Sequence, residues 1–423
     1  MQEVKNQTQE RVILAGCQTK ERDDDHFLYS MEELKSLTNT ANGKVVATID
    51  QKKVSIDPAT YLGRGKIEEL SLLIEEKEAE VVIFNDELSA GQIRNISSIC
   101  GEGVRVIDRT QLILDIFAQR AQSKEGKLQV ELAQLNYLLP RLMGRGLALS
   151  RLGGGIGTRG PGETQLETDR RHIRRRMDEI KEQLSTIVQH RKQYRERRKE
   201  NQIIQIALVG YTNAGKSTIL NRLTAAETLE QNLLFATLDP TTRKMKLPSG
   251  LNVLLSDTVG FIQDLPTTLI AAFRSTLEEV READLILHII DASHENFAEH
   301  KKTVLKLLEG LNVNEIPILT VYNKADLIED RENVFVHSSE LLISAKKPEQ
   351  LKMLLEKIEE FLKQEMNHYS TELGSDEGKL LSRIKTETIL VKQTWNEDTE
   401  SYTCLGYVHP NHSLAHQLNQ RNI

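Results

Sequence analysis

The sequence contains no uninterrupted apolar run near the roughly 18 residues that span a bilayer, so no segment is expected to cross a membrane as a helix. Its first residues, MQEVKNQTQE, are polar and lack the apolar centre of a signal peptide. Cysteine is scarce: Cys17, Cys100 and Cys404 stand far apart and odd in number. They offer no metal-binding spacing, and they suggest a reducing compartment with all three thiols buried. At 423 residues, 39% hydrophobic and 28% charged, the composition is that of a soluble globular protein too long for one core. Several domains are expected.

Charge is uneven. The whole chain stands at −7, yet residues 141–200 hold 16 Lys plus Arg against 8 Asp plus Glu, a net of +8. The remainder therefore sums to −15. A basic block in an acidic chain points to a local polyanionic partner.

Residues 11–110 alternate short Val/Ile-rich runs (RVILAG, KVVATID, AEVVIFND, VRVID) with helically spaced segments. That pattern predicts a small parallel α/β domain. The run YLGRGKIEEL (61–70) lacks a Ser or Thr after its Lys and reads as a helix start, not a second phosphate loop. Next, Leu128, Leu132, Leu135, Leu139 and Leu142 repeat at 4-3-4-3 spacing, as do Ile173, Met177, Ile180, Leu184 and Ile187. Each predicts a helix with one apolar seam, and two such helices predict an antiparallel hairpin. Their connection, Gly144 to Thr164, is glycine-rich and carries Arg145, Arg151 and Arg159. At a hairpin tip it is placed to reach a groove of nucleic acid. Its GGGIG lacks a strand-to-helix context, so it is not read as a phosphate cradle. The expected division is an N-terminal α/β subdomain (1–122), a helical hairpin (123–200), a P-loop domain (201–366) and a small α+β domain (367–423).

The P-loop assignment rests on IIQIALVGYTNAGKSTIL: an apolar strand, a loop fitting G-x-x-x-x-G-K-[ST], and a helix start. Gly210, Tyr211, Thr212, Asn213, Ala214 and Gly215 should wrap the phosphates with their backbone N–H groups, continuing into Thr218. Lys216 should reach the β- and γ-phosphates, and Ser217 should ligate Mg²⁺, which prefers oxygen donors. Base identity comes from PILTVYNKADL. Asn323, Lys324, Ala325 and Asp326 form N-K-x-D, whose aspartate can accept from the guanine ring N–H and exocyclic amine together. Adenine offers no such donor pair. LLISAKK follows, with Ser344 and Ala345 expected at the guanine carbonyl through their backbone and Lys346 over the base. In FATLDPTTRK, the segment Phe235, Ala236, Thr237, Leu238 and Asp239 should sense the γ-phosphate. Thr237 is the chosen Mg²⁺ ligand, with Thr241 and Thr242 as competitors. Asp257, Thr258, Val259 and Gly260 form D-x-x-G, where Asp257 meets Mg²⁺ through water and the Gly260 N–H touches the γ-phosphate. Lys216, Thr237 and Gly260 are the residues expected to act in hydrolysis.

The residue after D-x-x-G is often a Gln that orients the attacking water. Here it is Phe261, which cannot hydrogen-bond water. Either a partner surface completes the site, or Asn213 helps hold a potassium ion; Asn also suits a tight turn on its own.

These motifs, with GGGIGTRGPGETQLETDRR (153–171) as the most specific, resemble the HflX family within the Obg-HflX group of P-loop GTPases. The resemblance covers roughly residues 10–365. It implies a cytoplasmic GTPase that takes GTP and GDP with Mg²⁺, binds the large ribosomal subunit and its RNA, and splits stalled or idle ribosomes, often under stress. The group characteristically carries an apolar residue where Phe261 stands. A monomer is expected. Two readings compete: an RNA-remodelling, helicase-like ATPase or GTPase, and a signalling switch with a protein partner and no RNA, against which the basic arm argues.

Overall fold

The computed structural model describes residues 9–20, 23–142, 161–200, 203–224, 234–235, 237–263, 274–311, 313, 315–328, 337, 340–397 and 399–419, with backbone alone at 161–166, 192, 194–195, 197–200 and 274–277. Its contacts divide into two compact units, one built mainly from residues up to Ile187 and one mainly from those after it.

The first unit opens with strands β1 (Glu10–Gln18), β2 (Gly43–Lys52), β3 (Val81–Phe84) and β4 (Arg105–Asp108). They form one parallel sheet in the order β2-β1-β3-β4. Helices α1 (Asp24–Thr40), α2 (Arg64–Lys77) and α3 (Ala90–Cys100) connect them. Parallel strands covered by crossover helices need apolar side chains along their length. β3, VVIF, is accordingly buried throughout. The helix starts are encoded locally: Asp23 caps α1, and Ser89 with Gln92 forms a reciprocal capping box on α3. The GRGK run sits at the start of α2, where Gly63 is the N-cap and Lys66 pairs with Glu69 at 3.0 Å. Cys17, Cys100 and Cys404 are buried.

A helix absent from the sequence reading, α4 (Arg109–Arg120), follows β4 directly. Leu112, Ile113, Leu114, Ile116 and Phe117 are all buried and form one broad apolar face, while Gln111 and Asp115 are half-buried and Ala118 and Gln119 exposed on the other side. Then come α5 (Lys124–Arg141) and α6 (Pro161–Glu200), the two helices of the expected hairpin. On α6 the anticipated seam holds, with Met177 and Ile180 buried and Ile173, Leu184 and Ile187 half-buried. On α5 the seam is shifted. Of the leucine stripe only Leu128 is buried, while Leu132, Leu135, Leu139 and Leu142 are half-buried. The deepest face of α5 is Gly126, Val130, Ala133 and Tyr137. Two apolar faces on one helix serve two neighbours, and the leucine spacing marked only one of them. Arg176 binds Glu131 at 2.6 and 2.9 Å, a two-point contact linking α6 to α5. The tip residues Arg145, Arg151 and Arg159 lie outside the described residues.

The second unit is built on a six-stranded sheet. Its strands are β5 (Gln205–Gly210), β6 (Thr241–Lys246), β7 (Asn252–Asp257), β8 (Leu285–Asp291), β9 (Ile318–Asn323) and β10 (Leu341–Leu342). The order is β10-β9-β8-β5-β7-β6, parallel except for β6. From β5 the chain goes first to one side and then, with β8, to the other. This is the topological switch point of an open α/β sheet, where ligands bind outside the carboxyl ends of the strands. Helices α7 (Lys216–Thr224), α8 (Arg274–Arg281), α9 (Phe297–Gly310) and α10 (Pro348–Gln364) complete this α/β body. A smaller layer follows: β11 (Asn367–Gly374), α11 (Gly378–Glu387), β12 (Ile389–Asn396), β13 (Ser401–Val408) and α12 (Ser413–Asn419). Its antiparallel sheet runs β11-β13-β12. β11 has little strand signal in its sequence. Only Tyr369, Thr371 and Leu373 face its core, alternating with His368, Ser370 and Glu372.

Candidate nucleotide site

The expected motifs gather at the carboxyl ends of the strands. β5 ends in the P-loop, β7 in Asp257, β9 in Asn323, and β10 leads into Ser344. The P-loop conformation follows from residue type. Gly210, Asn213 and Gly215 take φ of +157°, +61° and +94°. The last two lie in the left-handed region, where Gly is free of strain and Asn is among the tolerated residues. Asn213 is exposed at that turn, so the backbone alone accounts for its identity. A Cβ on Gly210 would stand 2.2 Å from the Ile289 carbonyl, and one on Gly215 2.2 Å from Asn323 Nδ2.

Lys216 is buried, and its Nζ donates to the carbonyls of Gly210 (3.1 Å) and Tyr211 (2.9 Å). Burial pushes its ammonium down to about 8, against the pull of Asp257. Asp257 is buried as well, and burial raises its carboxyl although Lys216, Ser217 and Thr237 act the other way. Three oxygens converge here. Ser217 Oγ and Thr237 Oγ1 are 2.8 Å apart, and they donate to Asp257 Oδ2 at 2.8 and 2.9 Å. Asp257 Oδ1 has no hydrogen-bond partner among the described residues. A buried ammonium beside a buried carboxylate with a spare oxygen suits a polyanion accompanied by a hard cation. Mg²⁺ keeps waters and takes few protein oxygens, so hydroxyls of a Ser and a Thr beside a carboxylate fit it. Among the described residues no cluster of three or more His, Cys, Asp and Glu could hold a metal. The competitors lie in β6: Thr241 pairs opposite Asp257 in the ladder but, among the described residues, makes no side-chain bond in the cluster of the kind seen for Thr237, and Thr242 Oγ1 bonds Ser256 Oγ at 2.8 Å.

Of the segment before Thr237, Ala236 lies outside the described residues. Phe235 is buried at φ +55°, and its ring packs edge-to-face on Phe117 with centroids 4.7 Å apart. Its side chain is therefore spent in a core. Leu238 is buried and Asp239 half-buried. After Asp257, Thr258 Oγ1 donates to the Leu208 carbonyl at 2.6 Å, and Val259 is buried. Gly260 has no room for a side chain, because a Cβ would come within 2.8 Å of Thr212 Cα and 3.0 Å of Lys216 Nζ. Phe261 is zipped to the P-loop through backbone: the Thr212 amide donates to its carbonyl at 2.8 Å, and its amide donates to Gly210 at 3.1 Å.

At the base end, Asn323 braces two loops. Its Nδ2 donates to the Ala214 carbonyl and its Oδ1 accepts from the Ala345 amide, both at 2.9 Å. The Ser344 amide donates to Gln350 Oε1 at 2.6 Å. Both amides expected at the base carbonyl are thus engaged within the protein here. Asp326 accepts from Ser344 Oγ at 2.6 Å and Lys346 Nζ at 3.0 Å, and these contacts lower its pKa. A carboxylate has lone pairs beyond these two. Lys324 sits at φ +64° and its Nζ pairs with Asp291 at 2.7 Å. Ala325 is buried at the start of the short turn that carries Asp326. Sequence reasoning missed Asp291 and Gln350, which hold Lys324 and Ser344. The signal for Asp291 was its place at the end of an apolar strand; Gln350 had none.

Known proteins share these parts in the same order. Residues 28–118, 120–198 and 205–324 match families described as GTP-binding GTPase N-terminal, GTP-binding GTPase Middle Region and 50S ribosome-binding GTPase. A GTPase HflX of Alkalihalophilus pseudofirmus is 58% identical over 424 residues, covering 100% of this chain and 99% of that one. One of Caldanaerobacter subterraneus subsp. tengcongensis is 49% identical, over 92% of this chain and 89% of its own. One of Escherichia coli is 41% identical over 88% of each. The crystal structure of the SsGBP and GDP complex is 26% identical, covers 84% of this chain and 99% of that one, and gives a TM-score of 0.48. Among the described residues no helix is long and apolar enough to cross a membrane. With the phosphate loop, the D-x-x-G segment and the N-K-x-D turn on neighbouring strand ends, and with relatives along its whole length, the chain belongs to the HflX family of P-loop GTPases.

Proposed function

We propose that this GTPase binds the large ribosomal subunit in its GTP state, through the basic hairpin, and dissociates stalled or idle ribosomes into subunits under stress. The observation that carries the GTPase half is the convergence of Ser217, Thr237 and Asp257 oxygens beside Lys216. That arrangement favours Thr237 over Thr241 and Thr242 as the metal-sensing threonine. Ser217 and Thr237 would hold Mg²⁺, with Asp257 behind a water. Bound there, the ion would neutralise charge that develops on the phosphates. Lys216 binds the β- and γ-phosphates, the Gly260 amide meets the γ-phosphate, and Asp326 selects guanine. The ribosomal half is supported by the match to a family described as 50S ribosome-binding GTPase and by the net +8 of residues 141–200. Sedimentation of the full-length protein with purified subunits tests it. Binding to the large subunit that requires a non-hydrolysable GTP analogue supports the reading; equal sedimentation with and without nucleotide, or none, overturns it.

A further inference from the structure

Tyr211, the second residue of the phosphate-loop motif, is the one bulky ring in that loop, and it is nearly fully buried. What buries it is not nucleotide chemistry. Its ring lies flat on the imidazole of His300 from α9, with centroids 3.8 Å apart and planes 7° from parallel. His300 in turn packs on His294 at 4.5 Å. At the far end of the ring, Tyr211 Oη accepts a hydrogen bond from the Gln263 amide at 2.6 Å. On the backbone side, Tyr211 forms a parallel β-bridge with Phe261. Gln263, two residues after Phe261, is therefore pinned through the Tyr211 side chain, and Phe261 itself through the backbone on either side of Tyr211. Between them, Phe261 and Ile262 are 6% and 1% exposed.

We propose that His300 is a positioning residue for GTP hydrolysis: it fixes the Tyr211 ring, which holds Phe261–Gln263 and so sets the position of Gly260. This rests on the reading that the Gly260 amide contacts the terminal phosphate. The physical case is one of rigidity. A Tyr at this point of a loop is free to swing about its first torsion unless something covers its face. Face-to-face packing within a buried site fixes that torsion, and the phenol oxygen then becomes a fixed acceptor for one backbone amide. Gly260 sits between this anchored stretch and Asp257, with no slack toward Thr212 or Lys216. Misplacing a reacting group by a fraction of an ångström is costly in rate and leaves ground-state binding nearly untouched. Burial holds His300 neutral, its pKa lowered to about 4, so the stack pairs two uncharged rings.

The test compares His300→Ala, His300→Phe, Tyr211→Phe, the double variant His300→Ala/Tyr211→Phe, and Gly260→Ala in the full-length protein. Single-turnover GTP hydrolysis and GDP affinity are measured for each. Tyr211→Phe keeps the ring and removes the acceptor for the Gln263 amide, so hydrolysis should fall about fivefold, the worth of one hydrogen bond, with GDP affinity within about twofold. His300→Ala should fall similarly, His300→Phe should recover most of the rate by restoring a flat partner, and the double variant should be no slower than Tyr211→Phe alone. Wild-type hydrolysis in His300→Ala overturns the proposal, as does a parallel loss of rate and GDP affinity that His300→Phe does not rescue. Gly260→Ala separates the two layers. If it hydrolyses GTP normally, the assignment of Gly260 itself falls; if it is inactive while His300→Ala is normal, only the role of His300 falls.

Discussion

Asp326 shows how much one side chain decides. Its carboxylate is held by Ser344 Oγ and Lys346 Nζ and stays ionised, its pKa lowered by both. Asp326→Asn exchanges acceptors for an amide that can donate, and should convert guanine preference into xanthine preference. The loss in GTP affinity should be about 2–5 kcal/mol, as for truncating one side of a buried charge-assisted pair. Equal ATP and GTP affinity in both proteins, measured by nucleotide titration, would show that Asp326 does not read the base. His288 on β8 makes a second residue-level case. It is fully buried, and neither imidazole nitrogen has a hydrogen-bond partner among the described residues. Burial, then the charges of Lys301 and Lys216, push its pKa from 6.5 to about 3. The folded state therefore resists protonation, so stability that is complete above pH 6.5 is lost as pH falls from 6.5 toward 3. His288→Leu removes that term. Urea denaturation at several pH values should show a shallower acid dependence for the variant, by up to about 1.4 kcal/mol per pH unit for one proton. Identical slopes would place the acid sensitivity elsewhere.

Elements differ in how openly their sequences declare them. α6 was legible because its buried and half-buried apolar residues, Ile173, Met177, Ile180, Leu184 and Ile187, lie on one stripe, so their spacing records one direction; Ile180, at its centre, is fully buried. Ile180→Ala should cost about 2–5 kcal/mol, the usual loss for a buried large-to-small change, read as a lower denaturation midpoint with little change in GDP affinity. A variant within about 0.5 kcal/mol of wild type would mean that α6 does not bury this seam in solution. α4 was harder to read: its apolar residues come as the near-continuous run LILDIF, which periodicity does not distinguish from a buried strand. α5 was half legible: the leucines announced one face, and Gly126, Val130, Ala133 and Tyr137, mixed in size and polarity, hid the other. β11 carries only two large apolar side chains, and its strand character comes from pairing with β13, 27 to 41 residues later. The motifs that the structure gathers at the strand ends were legible because phosphate and base contacts need particular residue types at fixed spacing. Their bracing partners, Asp291, Gln350 and His300, come from other elements and are set by tertiary packing, which leaves no local motif.

For the molecule as a whole, Phe261 and the basic arm pose one question: what completes a hydrolytic site that has no water-orienting Gln? Phe261 is buried, and its backbone is tied to Gly210 and Thr212, so its side chain has no route to the attacking water. The groups proposed to bind phosphate and metal, Lys216, Ser217, Thr237 and Asp257, nevertheless converge. Such a protein should bind GTP well and hydrolyse it slowly alone. Groups supplied by a partner in trans are worth up to about 10³–10⁵ in rate in other phosphate-hydrolysing switches, so ribosomes should raise the single-turnover rate by at least about tenfold. The stimulation should depend on the arm. Neutralising Arg145, Arg151 and Arg159 together should weaken ribosome binding and its steep fall with salt, because fewer phosphate contacts release fewer counterions. The free hydrolysis rate and GTP affinity should be unchanged in that variant. Measuring the free protein in potassium and in sodium separates the remaining routes. A gain in potassium alone would give Asn213 an ion-binding role beyond its left-handed turn. A fast free rate in both salts, unaltered by ribosomes, would mean that the chain completes its site unaided and that the arm serves some purpose other than catalysis.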